Sequence, residues 1–158
     1  MDYVTYIRQM VGKQKIIMNA AACIIVNDQG QILLQLRGDD HTWGLPGGIM
    51  ELGETMEETC RREVKEETGL DVINLVSLGA FHNFSKTWPG GDQAHIICFV
   101  FVGTNLEGEL HIDGEETLDL QYFDHDHLPL IGATDHLQAI ETYFAQNGLS
   151  YDTIEVTP

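Results

Sequence analysis

The sequence predicts an α/β domain. Three observations carry that expectation: aliphatic, strand-like runs before residue 40, a capped amphipathic helix at about 55 to 68, and later strand-like runs that end in a second helical pattern. Residues 3–11 are expected to form a short helix, with Tyr3, Ile7 and Met10 on one face and Gly12 closing it. Ile16 to Val26 and Ile32 to Leu36 are apolar runs about the turn Asn27-Asp28-Gln29-Gly30, which reads as a β-hairpin. Trp43-Gly44-Leu45-Pro46-Gly47-Gly48 reads as a glycine–proline loop, too irregular for the interior of a helix or a sheet. Thr55 with Glu58 three residues on is a capping box, and Gly69 suits the position just past a helix end. Met56, Cys60 and Val64 recur at i, i+4 and i+8 and turn one face of that helix to the core. Strands are expected near 72 to 84, 93 to 103 and 118 to 124. Leu137, Ile140, Tyr143 and Phe144 predict a final helix from about 134 to 146, ended by Asn147-Gly148. No repeat or linker divides residues 1–158, so a single domain is expected.

At 158 residues and 43% hydrophobic, the chain is long enough to bury a core of its own. No apolar run approaches the roughly 20 residues needed to span a bilayer. The start, Met1-Asp-Tyr-Val-Thr-Tyr-Ile-Arg8, lacks the basic residues and apolar core of a signal peptide, so a cytoplasmic protein without membrane contact is expected. Cys23, Cys60 and Cys98 show no CxxC spacing, and two of them stand in apolar runs; they read as buried, reduced thiols. Eight Lys and Arg against twenty-five Asp and Glu give a formal charge of −17, which repels an extended nucleic acid. A small phosphorylated substrate escapes that objection if cations at a carboxylate cluster invert the field it meets. Composition also leaves room for a homodimer.

Such a cluster stands directly after the glycine turn. In the run from Gly48 to Leu70, Glu63, Glu66 and Glu67 lie at i, i+3 and i+4 and share one helical face. Like charges so placed repel by a few tenths of a kcal/mol per pair, and a hard divalent cation would relieve them. Carboxylate oxygens suit Mg²⁺ or Mn²⁺.

The same run, Gly48, Glu54, Arg62, Glu63, Val64, Glu66, Glu67, Gly69 and Leu70, resembles the Nudix box at every fixed position. The resemblance implies an α/β/α sandwich with a mixed β-sheet, and the activity of a MutT-like pyrophosphohydrolase. Such an enzyme cleaves a nucleoside diphosphate linked to another group by attack of water on phosphorus, with metal ions screening and orienting the diphosphate. It implies Glu63 and Glu67 as metal ligands and Glu66 as a third ligand or the general base. Glu54 and Arg62 are expected to pair, with Arg62 orienting a carboxylate. Gly47 and Gly48 let the backbone approach a ligand, and a carbonyl there is a candidate to complete the coordination. The resemblance points to a further carboxylate from Asp113-Gly-Glu115-Glu116, with Glu116 the candidate and Glu115 its rival, and an ordinary solvated turn the equal alternative.

Outside the box, Phe81, Phe84 and Trp88 are candidates to stack on a base, with core packing the preferred reading for the two phenylalanines and a plain turn the alternative for Trp88. His125 and His127 alternate as metal ligands can, but read as part of a surface loop. Two other functions use related folds: a ligand-sensing module without hydrolysis, and an isopentenyl diphosphate isomerase with an active-site Cys. The intact box argues against the first, and the apolar settings of Cys23 and Cys98 argue against the second.

Overall fold

The computed structural model describes residues 1–152. In chain order the elements are α1 (Tyr3–Val11), β1 (Ile16–Ile25), β2 (Ile32–Arg37), β3 (Trp43–Gly44), β4 (Gly47–Ile49), α2 (Met56–Thr68), β5 (Asp71–Thr87), β6 (Gln93–Glu107), β7 (Thr117–Phe123), a 3₁₀ turn at His125–His127, and α3 (Thr134–Asp152). Four strands form a mixed sheet in the order β4-β1-β6-β5, and three form an antiparallel sheet in the order β3-β2-β7. β1 runs parallel to β6 and antiparallel to β4.

Side-chain alternation shows how these sheets are stacked. Met18, Ala20, Ala22 and Ile24 of β1 and Ile32 and Leu34 of β2 join Ala139 and Ile140 of α3 in one buried cluster. The alternate residues Ala21, Cys23, Ile25 and Leu33 join Cys60 and Val64 of α2 in the other. Both sheets thus send residues to both sides, so they lie in one layer between α2 and α3. The α/β/α sandwich that the box implies is the fold of this chain.

Two expectations about the strands need correction. β1 and β2 touch antiparallel only at Val26 and Ile32 beside their turn and then part into different sheets. Both edges of β1 are taken, by β6 and β4, so β2 finds its partners in β7 and β3. The glycine–proline segment is not merely a loop. Its two ends pair as β3 with β2 and as β4 with β1, leaving Leu45-Pro46 as the corner that carries the chain from one sheet to the other. Proline fits there because the corner, and not a ladder, lacks the N–H.

The helices follow their caps. Asp2 accepts from Thr5 N at 2.8 Å to start α1, and Gly12 ends it at φ 60°. Thr55 and Glu58 exchange both bonds of the capping box, at 3.2 and 2.7 Å, and Gly69 closes α2 at φ 81°. α3 does not stop at Asn147-Gly148; its backbone stays helical to Asp152. β5 and β6 extend past the expected 84 and 103 because they pair as a long hairpin with irregularities at Ser77/Gly79 and Asn83/Lys86. Cys23, Cys60 and Cys98 are free and buried. Among the described residues no helix is long and apolar enough to cross a membrane.

The reciprocal cap fixes where α2 begins, and hence where its carboxylates stand. Thr55→Ala removes one half of it and is expected to cost about 1 kcal/mol of stability. Urea unfolding checks this; an unchanged midpoint would show that the helix start is set by packing alone.

Candidate active site

The first turns of α2 are held by one arginine. Arg62 donates from Nε to Glu54 Oε1 at 2.6 Å and from Nη2 to Glu54 Oε2 at 3.0 Å, a two-point contact. The same guanidinium reaches Glu63 Oε1 at 2.6 Å, Glu66 Oε2 at 3.3 Å and the Ile49 carbonyl at 3.2 Å. Glu54 also accepts from Thr59 Oγ1 and from the Glu51 N–H, at 2.8 and 3.1 Å. These donors, Arg62 first, hold its carboxyl at about 2. Arg62 therefore ties β4, the loop before α2 and two helical carboxylates together.

Glu67 is tied from the opposite side. Its Oε2 accepts from Gly47 N at 2.7 Å and from Gln35 Nε2 at 2.8 Å. Gln35 is itself buried, and its Oε1 accepts from Thr117 Oγ1 at 2.9 Å, so β7, β2, β4 and α2 meet in one polar chain. Burial, and then the charge of Glu63, push the Glu67 carboxyl up to about 8 despite those two donors. Burial likewise pushes the Glu63 carboxyl up, with Arg62 opposing and the charges of Glu66 and Glu116 adding to it. Glu66 is the exception, with 58% of its side chain exposed.

Glycine makes the approach possible. A Cβ on Gly48 would lie 2.4 Å from Glu63 Oε1, and one on Gly47 would lie 2.4 Å from the Ala21 carbonyl. Any larger residue would push the Glu63 carboxylate off the strand or β4 off β1.

The cleft above these residues holds about 790 Å³, within the roughly 300–1,000 Å³ of small-molecule sites. Glu63, Glu66, Glu67, Gly47 and Gly48 line it, and so do both Glu115 and Glu116. The loop that carries Glu115 and Glu116 is pinned by Gly38 N donating to the Glu116 carbonyl at 2.9 Å and by Asp113 Oδ1 accepting from Glu115 N and Thr117 N. Trp88 also lines the cleft, with Lys86 Nζ 5.6 Å from its ring centroid.

Phe81 and Phe84 are not among the residues lining the cleft, a correction to the sequence reading. β5 alternates, so Phe81 opposite Cys98 packs into the α3-side core. Phe84 stands on the other face, stacked on His82 at 5.4 Å and 64% exposed. His125 and His127 are exposed on their 3₁₀ turn, as expected of a surface loop.

Several residues in or behind the cleft escaped the sequence reading. Gln35 left one trace, a lone polar residue in the run Ile32-Leu33-Leu34-Gln35-Leu36. Arg37, paired with Asp39 at 2.9 Å, and Asp135 and His136 of α3 gave none that separates them from surface charges. His136 Nδ1 accepts from Leu45 N at 3.1 Å, and burial lowers the affinity of its ring for a second proton.

Comparison with known proteins gives this arrangement its family. Residues 17–143 match the NUDIX domain, and the chain belongs to the Nudix hydrolases, enzymes whose members generally use divalent metal ions. It is 35% identical over 136 residues to an ADP-ribose pyrophosphatase of Methanocaldococcus jannaschii, covering 83% of this chain and 77% of that one. It is 34% identical over 110 residues to a putative 8-oxo-dGTP diphosphatase of Bacillus subtilis, covering 70% and 68%. The crystal structure of a MutT NUDIX hydrolase from Burkholderia pseudomallei superposes with a TM-score of 0.70 at 25% identity, over 80% of this chain and 97% of that one.

Glu67 and Glu54 give the metal-free protein opposite pH signatures. Glu67 binds its proton more tightly folded than unfolded, so its contribution is full below the ordinary 4.5 and is lost as pH rises to about 8. Glu54 contributes above 4.5 and loses that contribution as pH falls towards about 2. Urea titrations in EDTA from pH 4.5 to 8 should show stability falling towards alkaline pH, and Glu67→Gln should flatten the fall. A slope untouched by that substitution would contradict the account.

Proposed function

We propose that this chain hydrolyses the diphosphate linkage of a nucleoside diphosphate derivative, with Mg²⁺ or Mn²⁺ held by Glu63 and Glu67. The observation that carries this reading is the pair of largely buried carboxylates on the cleft floor, whose proton affinities are both raised. Two such groups side by side favour a shared positive charge, and their donors are all hard oxygens, which suits these ions over softer transition metals. Glu66, the Gly47 carbonyl and Glu116 are the further candidate ligands, and Glu115 lines the same wall. When bound, the cation would neutralise the diphosphate oxygens and ease deprotonation of the attacking water.

The protein's own residues do the positioning. Gly47 N–H and Gln35 fix one oxygen of Glu67 and leave the carboxylate a single orientation. Arg62 does the same for Glu63 while Glu54 holds Arg62. Glu66, exposed at the cleft edge, is the candidate to accept the proton of the attacking water where it does not serve as a third ligand. The new bond joins water oxygen to phosphorus, the bridging P–O bond breaks, and the departing phosphate keeps the electron pair. The names of the two relatives, an ADP-ribose pyrophosphatase and a putative 8-oxo-dGTP diphosphatase, both describe nucleotide derivatives of this class. Trp88 supplies an aromatic face for the group beyond the phosphates.

A panel of nucleoside triphosphates, ADP-ribose, NADH, dinucleoside polyphosphates and sugar nucleotides, assayed with each metal and with products weighed by mass, tests the reading. At least one should be cleaved at a diphosphate, only with metal. Glu67→Gln should lower the rate at least about a hundredfold with the fold intact by circular dichroism. Near-normal turnover by that variant would remove Glu67 from the site.

Gln35→Leu gives a second expected outcome, because it strips Glu67 of one donor without touching a ligand. Metal affinity should fall about ten- to a hundredfold, and excess metal should restore kcat. Loss of kcat that metal cannot restore would show that Gln35 serves the reaction in some other way.

A further inference from the structure

Away from the cleft, two imidazoles face each other. His82 Nδ1 and His95 Nε2 lie 3.0 Å apart, and among the described residues no other side chain shares a hydrogen bond or ion pair with either ring. At that spacing one of the two nitrogens carries a hydrogen and the other offers a lone pair. Phe84 closes one side, its ring centroid 5.4 Å from that of His82 and 4.8 Å from that of His95.

The sheet sets this pair. His82 of β5 stands opposite Ile97 of β6, and Ile17 of β1 stands beside His95, so these four residues share one face. Further along β1, the same face carries Ala21 and Cys23, where Cys60 and Val64 of α2 cover it. Beyond that cover the face is open, with Ile17 and Phe84 each 64% exposed. Asn83 and Ile96, each adjacent in its strand to one of the two histidines, line the cleft on the opposite face. The imidazoles therefore back the cleft from across the sheet.

We propose that His82 and His95 hold a divalent transition ion of the copper or nickel type, at a site separate from the carboxylate cleft. Imidazole nitrogens suit such ions, whereas Mg²⁺ keeps to hard oxygens. Nitrogens on adjacent corners of a square-planar ion, at roughly 2.0–2.1 Å each, stand about 2.9 Å apart, and on a tetrahedral ion about 3.3 Å. The observed 3.0 Å lies beside the first value. With ring centroids 5.3 Å apart, the two nitrogens lie nearly on the line between the rings, so each ring must turn its lone pair towards the ion. The shared hydrogen moves to the far nitrogen of its own ring, both imidazoles stay neutral, and water takes the remaining positions. An ion so held ties β5 to β6 and stabilises the folded chain.

The other close group of metal-type donors does not compete for this ion. Cys98, Asp135 and His136 bring donor atoms within 4.8 Å of one another. His136 Nδ1 is taken by the Leu45 N–H, however, and burial pushes the Cys98 thiol up, keeping it protonated.

Cu²⁺ titrations followed by calorimetry and by electron paramagnetic resonance, with the cleft saturated in Mg²⁺, test this. The proteins compared are the parent, His82→Ala, His95→Ala and the double variant His125→Ala/His127→Ala. The tightest Cu²⁺ on the parent should show two nitrogen donors and raise the melting temperature. His82→Ala and His95→Ala should each weaken that site at least about tenfold, remove a nitrogen from the spectrum and abolish the rise. The double variant should match the parent. If either alanine variant fails to fold by circular dichroism, asparagine at the same position keeps a hydrogen-bonding side chain and takes its place. A spectrum with oxygen donors alone, an affinity unchanged in both single variants, or copper lost from the double variant instead overturns the proposal.

Discussion

The burial of Glu67 against Gly47 and Gln35 is the constraint around which the structure is arranged. A carboxylate in that position is costly unless its oxygens find donors and its charge finds a counterion. The fold supplies two donors, one from the backbone of β4 and one from a buried side chain of β2, and both go to the same oxygen. They do not offset desolvation and the nearby charge of Glu63, so the carboxyl stays near 8. Burial thus favours the protonated acid near neutrality, and on the function proposed above a cation would displace that proton and couple its binding to the order of the whole junction.

That junction explains the odd path of residues 43–49. The chain must hand one glycine N–H to Glu67, press another glycine against Glu63, and pass from the β2 sheet to the β1 sheet within a few residues. Two scraps of strand around Leu45-Pro46 accomplish this. The N–H of Leu45 also meets His136, so the same corner reaches across to α3 and to the wall that carries Asp135. The acidic helix face and the α3 wall of the cleft are thereby joined through one continuous segment. Arg62 plays the matching part on the helix side, where its contacts to Glu54, Glu63, Glu66 and Ile49 make the start of α2 and the end of β4 one unit.

Local signals made much of this visible in the sequence. α2 was legible because Thr55, Glu58 and Gly69 mark its ends and Cys60 and Val64 its buried face. The pairing of Glu54 with Arg62 was legible only through the resemblance to the box, and the structure brings the two together. Sheet membership was not, because the turn at Asn27-Gly30 says only that β1 and β2 reverse direction; their partners come from β4, β6, β3 and β7, far along the chain. The faces taken by Phe81 and Phe84 were not legible for a related reason. Alternation and the irregularity at Asn83/Lys86 decide which face each one takes, and neither is marked by residue type. Gln35 and Asp135 read as ordinary polar residues until long-range packing buries them beside the cleft.

The central claim, that Glu67 is a largely buried acid which gives up its proton to make a cation site, predicts a specific linkage. Calorimetric titration of Mn²⁺ at pH 7 in buffers of different ionisation enthalpy measures the protons released per metal bound. With the Glu67 carboxyl at about 8, close to one proton should leave with each metal, and Glu67→Gln should bind more weakly and release none. Binding that releases no proton from the parent, or the same number from both proteins, would contradict the account.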